Sequence, residues 1–216
     1  MTRIKCCGMT RVEDACLAAD LGADAIGLVF TARSRRQVSL AQARDIVAAL
    51  PPLVSTVALF MDDDAALVHE VLATVKPGLL QFHGAESDAW CAQFGHPFLK
   101  AIAMGEGASA LPRLRQFPQA SALLLDGHAG GEAGGTGRAF DWSLLPEALA
   151  QPVMLAGGLH PGNVGEAIRR VRPWAVDVAS GVEASPGIKD PARLKAFVRA
   201  VREADLAMPD GDLSSP

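Results

Sequence analysis

Pro152-Val153-Met154-Leu155-Ala156-Gly157-Gly158 and Ala175-Val176-Asp177-Val178-Ala179-Ser180-Gly181 are two strand-like apolar runs that each end on glycine. A helix-like segment follows each, Asn163 to Val171 after the first and Asp190 to Val201 after the second. A short β-branched run alternating with a longer helical stretch points to parallel strands joined by crossovers. Glycine directly after a strand lets backbone N–H groups approach a ligand with no side chain between them. A nearby helix start adds partial positive charge. Two such loops in succession read as a phosphate cradle, and in an eight-stranded α/β barrel the loops after strands seven and eight hold phosphate.

Six further strand–helix units precede these two. Arg3–Cys7 leads to Val12–Leu21, Ala25–Phe30 to Leu40–Leu50, and Ser55–Phe60 to Ala65–Val75. Leu79–His83 leads to Asp88–Phe94, Phe98–Ala103 to Ala108–Phe117, and Ala122–Asp126 to Ser143–Ala150. Eight alternating units favour a closed (β/α)8 barrel, an α/β fold, over an open doubly wound sheet. The strands show no clean polar alternation, as expected when helices cover the outside of a parallel sheet. Ser39 and Ser87 stand at helix N-caps, and Gly22 and Gly95 stand where helices should stop. The 216 residues suit one domain, expected over 1–205, with a disordered tail over 206–216 rich in Pro, Gly, Ser and Asp.

Half of the residues are hydrophobic and the net charge is −4. That balance speaks against a nucleic-acid binder, which presents a basic face. No apolar run is long enough to span a membrane. Met1-Thr2-Arg3-Ile4-Lys5 enters a strand at once, unlike a signal peptide. The four cysteines Cys6, Cys7, Cys16 and Cys91 form no CxxC pair, so neither a metal ligand set nor a disulfide framework is expected. A reduced, cytoplasmic protein follows. Monomer and homodimer both stay open.

Candidate chemistry gathers where the strands end. Strand one ends in Cys7-Gly8, strand four in His83-Gly84 and strand six in Asp126-Gly127. In a barrel these ends meet at one mouth. A thiol moved toward ionisation serves as a base, and a carboxyl shielded from water can keep a proton to give. Cys6 and Cys16 are expected as small core hydrophobes. Two long connections follow strand ends, Thr31 to Val38 and the Gly-rich stretch from Gly127 to Arg138. The second reads as a lid. The first carries Arg33, Arg35 and Arg36, one of which could clamp an anionic ligand group.

In motif order these residues resemble the phosphoribosylanthranilate isomerase family of tryptophan biosynthesis, from Lys5 to about Val201. Lys5-Cys6-Cys7-Gly8-Met9-Thr10 resembles its opening Lys-x-Cys-Gly-x-Thr, and Ser34-Arg35-Arg36-Gln37-Val38-Ser39 its Ser-Pro-Arg-x-Val-Ser. Gln81-Phe82-His83-Gly84, Leu125-Asp126 and Gly134-Gly135-Thr136-Gly137 follow in order. So do Ala156-Gly157-Gly158-Leu159 and Asp177-Val178-Ala179-Ser180-Gly181-Val182-Glu183. Arg35 stands where the family commonly has Pro, and Phe82 where it has Leu.

The resemblance implies an Amadori rearrangement of N-(5-phosphoribosyl)anthranilate, a small-molecule phosphoribosyl substrate, with no cofactor and no metal. Asp126 is then the general acid that opens the ribose ring, and Cys7 the general base that takes the C2 proton. Gly157, Gly158, Ser180 and Gly181 would hold the phosphate and Arg36 the anthranilate carboxylate. His83 and Asp177 would orient the substrate. The histidine-pathway isomerase with the analogous step would call for Asp in place of Cys7. A non-catalytic phosphometabolite-binding barrel would lack the acid or the base, and both are present.

Overall fold

Eight parallel strands pair in sequence order, and the last returns to the first. They are β1 (Arg3–Cys6), β2 (Ala25–Val29), β3 (Ser55–Phe60), β4 (Leu79–Phe82), β5 (Phe98–Ala103), β6 (Ala122–Asp126), β7 (Val153–Leu155) and β8 (Ala175–Val178). The sheet is a closed barrel, as expected. The closing seam places Lys5 beside Asp177 and Cys6 beside Val178. The structure is a computed structural model and describes residues 1–127, 140–146 and 149–207. The expected lid and the tail from Met208 onward therefore lie outside the described residues, apart from Gly127.

Among the described residues, six α-helices wrap the barrel: α1 (Val12–Asp20), α2 (Leu40–Ala49), α3 (Ala65–Thr74), α4 (Asp88–Ala92), α5 (Val164–Val171) and α6 (Pro191–Ala207). The caps form as the residue types demand. Ser39 makes a full capping box with Gln42, and Ser87 accepts from the Trp90 backbone N–H. Gly22 and Gly95 adopt φ of +98° and +58° past the ends of α1 and α4. Asp190 caps α6 through the N–H groups of Ala192 and Arg193, with Pro191 in the first turn. That helix runs through Ala207, two residues past the expected domain limit.

Two expected α-helices do not form among the described residues. Gly107–Arg115 is a 3₁₀ helix, because Pro112 has no N–H to give an α-helical carbonyl and its ring crowds the preceding turn. Within the expected helix Ser143–Ala150, of which residues 147 and 148 lie outside the described residues, the chain forms a 3₁₀ turn, Trp142–Leu144, capped by the Asp141 carboxylate. Pro146 excludes helical backbone at the residue before it, and Leu145 is extended with ψ of 134°. A hairpin of β9 (Glu183–Ser185) and β10 (Ile188–Lys189), which the sequence reading missed, fills the gap between β8 and α6.

The core divides into layers. Ile4, Ile26, Phe60, Phe82, Leu123 and their neighbours pack between strands and helices. Val57, Leu99, Leu124 and Met154 fill the barrel interior. Cys6 belongs to the outer layer and Cys7 to a small cluster with Val29 and Leu59, so the adjacent thiols face opposite ways. Cys16 corrects an expectation. It is half-buried, with its thiol 3.6 Å from the Ala49 carbonyl between α1 and α2, because its helical position turns it past the core-facing stripe.

One buried ion pair braces the active face. Lys100 Nζ lies 2.8 Å from Glu86 Oε2 and 2.6 Å from the Gly84 carbonyl. Glu86 also accepts from the backbone N–H groups of Asp62 and Gly84. Glu86→Gln leaves the ammonium buried without its anion. Loss of one partner of such a pair costs about 3–5 kcal/mol, so the urea midpoint should fall by a corresponding amount.

Candidate active site

At the C-terminal mouth of the barrel, Cys7, Arg36, His83, Asp126, Gly157, Gly158, Asp177 and Ser180 all line one cavity. Gly181 does not. It stands behind Ser180, where any Cβ would overlap the Leu159 carbonyl, and so allows the loops after β7 and β8 to touch. Gln81, Thr31 and Ser34 add polar wall positions that the sequence reading had not selected.

Cys7 follows β1 directly. Its N–H donates to the Val178 carbonyl at 2.8 Å, and its own carbonyl accepts from Lys189 Nζ at 2.7 Å. Room for the thiol comes from the next strand. A Cβ on Gly27 would sit 2.7 Å from Cys7 Sγ and 3.0 Å from Cys7 Cα. Gly27→Ala should therefore displace the thiol. A shift of about 1 Å at a reacting group can cost about 10²-fold in rate. Steady-state kcat on folded variant is the check, with the far-UV spectrum unchanged.

Burial pushes the Cys7 thiol above its ordinary pKa, and Asp177 adds to that. Lys5 and Lys189 pull it back down. Cys6, facing away, is pushed up to about 12, chiefly by burial. Only one of the two adjacent thiols therefore both faces the cavity and has cations to stabilise its ionised form. The Lys5 ammonium lies 2.9 Å from Asp177 Oδ1, and both groups are buried. Burial alone would depress the Lys5 pKa, but Asp177 and Cys7 outweigh it and raise it.

Across the mouth, the Asp126 carboxyl is only 5 % exposed. His83 Nε2 lies 3.5 Å from Asp126 Oδ2, and His83 Nδ1 lies 3.1 Å from Gln81 Nε2. With the amide nitrogen as donor, Nδ1 accepts and Nε2 carries the proton toward Asp126. Asp126, His83 and Gln81 form one side of the cavity wall, and Cys7 and Asp177 the other.

Arg36 is held by a partner that the sequence reading missed. Its Nε and Nη2 each lie 2.8 Å from an oxygen of Glu183, a bidentate pair. Glu183 also takes Lys189 Nζ at 3.0 Å. Burial would raise the Glu183 pKa, but Arg36 and Lys189 together hold it below the usual carboxylate value. The signals were present in the sequence: Lys5 and Lys100 sit inside strands otherwise built of apolar residues. A charged residue there must find a buried partner.

The loop after β7 turns through two left-handed residues, Gly157 at φ +79° and Gly158 at φ +66°. Non-glycine side chains are strained there. Asn163 pins the turn by donating to the Gly158 carbonyl at 2.9 Å and accepting from the His160 N–H. The 3₁₀ turn Ser180–Val182 stands against it. Among the described residues, no group of three or more His, Cys, Asp or Glu could hold a metal ion, and no helix is long and apolar enough to cross a membrane.

Comparison with known proteins places this geometry among relatives. The family model for N-(5'phosphoribosyl)anthranilate (PRA) isomerase matches residues 4–200. An N-(5'-phosphoribosyl)anthranilate isomerase of Pseudomonas aeruginosa is 54% identical over 200 residues, covering 93% of this chain and 95% of the relative. One from Pseudomonas fluorescens is 52% identical over 206 residues, covering 95% and 98%. The crystal structure of phosphoribosyl anthranilate isomerase from Thermotoga maritima superposes with a TM-score of 0.87 at 37% identity, covering 94% of this chain and 100% of the other. A second solved isomerase holds reduced 1-(o-carboxyphenylamino)-1-deoxyribulose 5-phosphate. It superposes with a TM-score of 0.81 at 33% identity, covering 94% and 100%.

Proposed function

The chain belongs to the N-(5'-phosphoribosyl)anthranilate isomerase family, and we propose that Cys7 is the general base and Asp126 the general acid of its reaction. The protein is an isomerase of tryptophan biosynthesis that converts an aminoaldose into 1-(2-carboxyphenylamino)-1-deoxyribulose 5-phosphate. The observation that carries the residue assignment is one cavity with Cys7 and Asp126 on opposing walls and the glycine loops after β7 and β8 beside them.

The steps follow from that placement. The Asp126 carboxyl donates its proton to the ribose ring oxygen as the C1–O bond breaks, and the nitrogen lone pair forms the C1=N bond of an iminium. The iminium acidifies the C2 proton, which the Cys7 thiolate removes to give an enolamine. The enol then loses its hydroxyl proton while C1 gains one, which yields the 2-ketone. No electrons leave the substrate. Backbone N–H groups of Gly157, Gly158 and Ser180 hold the 5-phosphate, with Gly181 bringing the two loops together. Glu183 occupies the Nε and Nη2 side of Arg36, which leaves Nη1 for the aryl carboxylate. His83 and Asp177 face the ribose between these anchors. The reading also carries a cytoplasmic location, because Cys7 must stay a reduced thiol.

A relative's complex supports the polar ends of this arrangement, since its bound molecule carries a carboxyphenyl group at one end and a phosphate at the other. The histidine-pathway reading is disfavoured by the thiol at the end of β1. The test is turnover of freshly made N-(5'-phosphoribosyl)anthranilate, followed by loss of anthranilate fluorescence. Rapid conversion by wild type is expected. A folded protein that leaves the substrate untouched while isomerising the histidine-pathway aminoaldose would overturn the reading.

A further inference from the structure

We infer that Lys5 is a positioning residue for this reaction: from beneath the cavity floor its ammonium favours the ionised form of Cys7 against the cost of burial, and its pairing with Asp177 sets the strength of that effect. Lys5 and Cys7 are two residues apart along one strand direction, so their side chains share a face. Register puts Asp177 directly beside Lys5 on β8. Lys5 is 1 % exposed and does not line the cavity, whereas Cys7 and Asp177 do. Its Nζ reaches Asp177 Oδ1 at 2.9 Å, and the Cys7 thiol lies on the same face of the chain, two residues on. A fully buried ammonium is costly without partners for its protons. Here one proton goes to the Asp177 carboxylate.

The other groups around the thiol point the same way. From β10, Lys189 bonds the Cys7 carbonyl. From the loop after β2, Arg36 lines the same cavity as Cys7, with its stem where a Cβ on Gly8 would stand. Glu183, at the start of β9, pairs with both. β2 presents only Gly27 and Val29, and His83 and Asp126 face from the opposite wall. On its own side of the mouth the thiol therefore meets three cations, Lys5, Lys189 and Arg36, against two carboxylates, Asp177 and Glu183. A thiolate brings that cluster to neutrality, while a thiol leaves it one positive charge in excess. Lys5 touches no substrate in this arrangement and acts through Cys7.

The inference rests on Cys7 as the base, and the experiment separates the two. The alkylation rate of Cys7 by iodoacetamide is measured against pH, with modification read by the mass of the Cys7 peptide so that Cys16 does not contribute. The proteins are wild type, Lys5→Arg, Asp177→Asn, and the double variant Lys5→Met with Asp177→Asn. The double variant avoids a buried carboxylate left without its cation, so it remains informative if Lys5→Met alone fails to fold. Asp177→Asn should move the midpoint to lower pH. The double variant should lie at least about one pH unit above Asp177→Asn, roughly tenfold less thiolate at neutral pH. Lys5→Arg should stay close to wild type.

Coincident midpoints for Asp177→Asn and the double variant would overturn the inference. So would equal losses in every variant without a midpoint shift, the result of a pair that merely braces the barrel. The acid limb of kcat/KM should follow the alkylation midpoint. A midpoint that moves while that limb stays fixed overturns Cys7 as the base, and leaves the Lys5–Cys7 coupling standing.

Discussion

Cys7→Ser should lower kcat by about 10²–10⁴-fold, the usual worth of one acid–base group. Serine fits the space that Gly27 leaves beside β1, but its hydroxyl does not ionise in the working range, so the C2 proton has no acceptor. KM should change little, because the substitution leaves Arg36 and the glycine loops, the proposed binding groups, in place. The pH profile gives a second signature. Burial holds the thiol above its ordinary value, so thiolate is scarce at low pH and increases as pH rises through the folded-state pKa. Wild-type kcat/KM should therefore climb with pH along an acid limb that belongs to Cys7 and disappears in Cys7→Ser. Retention of more than a tenth of wild-type kcat, with the limb intact, would remove Cys7 from the mechanism.

Asp126→Asn is expected to cost a similar factor, about 10²–10⁴, at a different step. Asparagine keeps the shape of a buried side chain that lies 3.5 Å from His83. It cannot hand a proton to the ring oxygen. Ring opening should then become the slow step, so a substrate deuterated at C2 would be turned over at nearly the rate of the protio form. In Cys7→Ser the same substrate should show a full primary isotope effect, because proton removal limits that variant. Equal isotope effects in the two variants would mean that acid and base do not divide the reaction as assigned. Measuring both variants in the fluorescence assay, with denaturant curves alongside, separates chemistry from folding.

Most of the site was legible because barrel topology converts sequence position into location. A residue at the end of a strand must face the mouth, so Cys7, His83 and Asp126 could be placed from the order of the units alone. The glycine loops were legible because left-handed backbone at Gly157 and Gly158 leaves a mark on residue type. The helices after β5 and β6 were misread because proline's effect is local and the helix-length spacing around it is not. Pro112 and Pro146 decided those segments.

By itself, the sequence determined the eight strands of the barrel, the caps, the glycine turns after β7 and the residue types at each strand exit. These depend on spacing and backbone preference within a few residues. The tertiary structure alone decided the charge pairings. Lys5 meets Asp177 across 172 positions, and Arg36 meets Glu183 across 147. The first meeting exists because closure of the barrel lays β8 against β1 in one register, and the second because the loop after β2 and the hairpin after β8 come together at the same mouth. Such pairs leave no periodic trace, since their stability comes from shared burial and from the low local dielectric around two opposite charges. Those are properties of the closed barrel rather than of any stretch of chain.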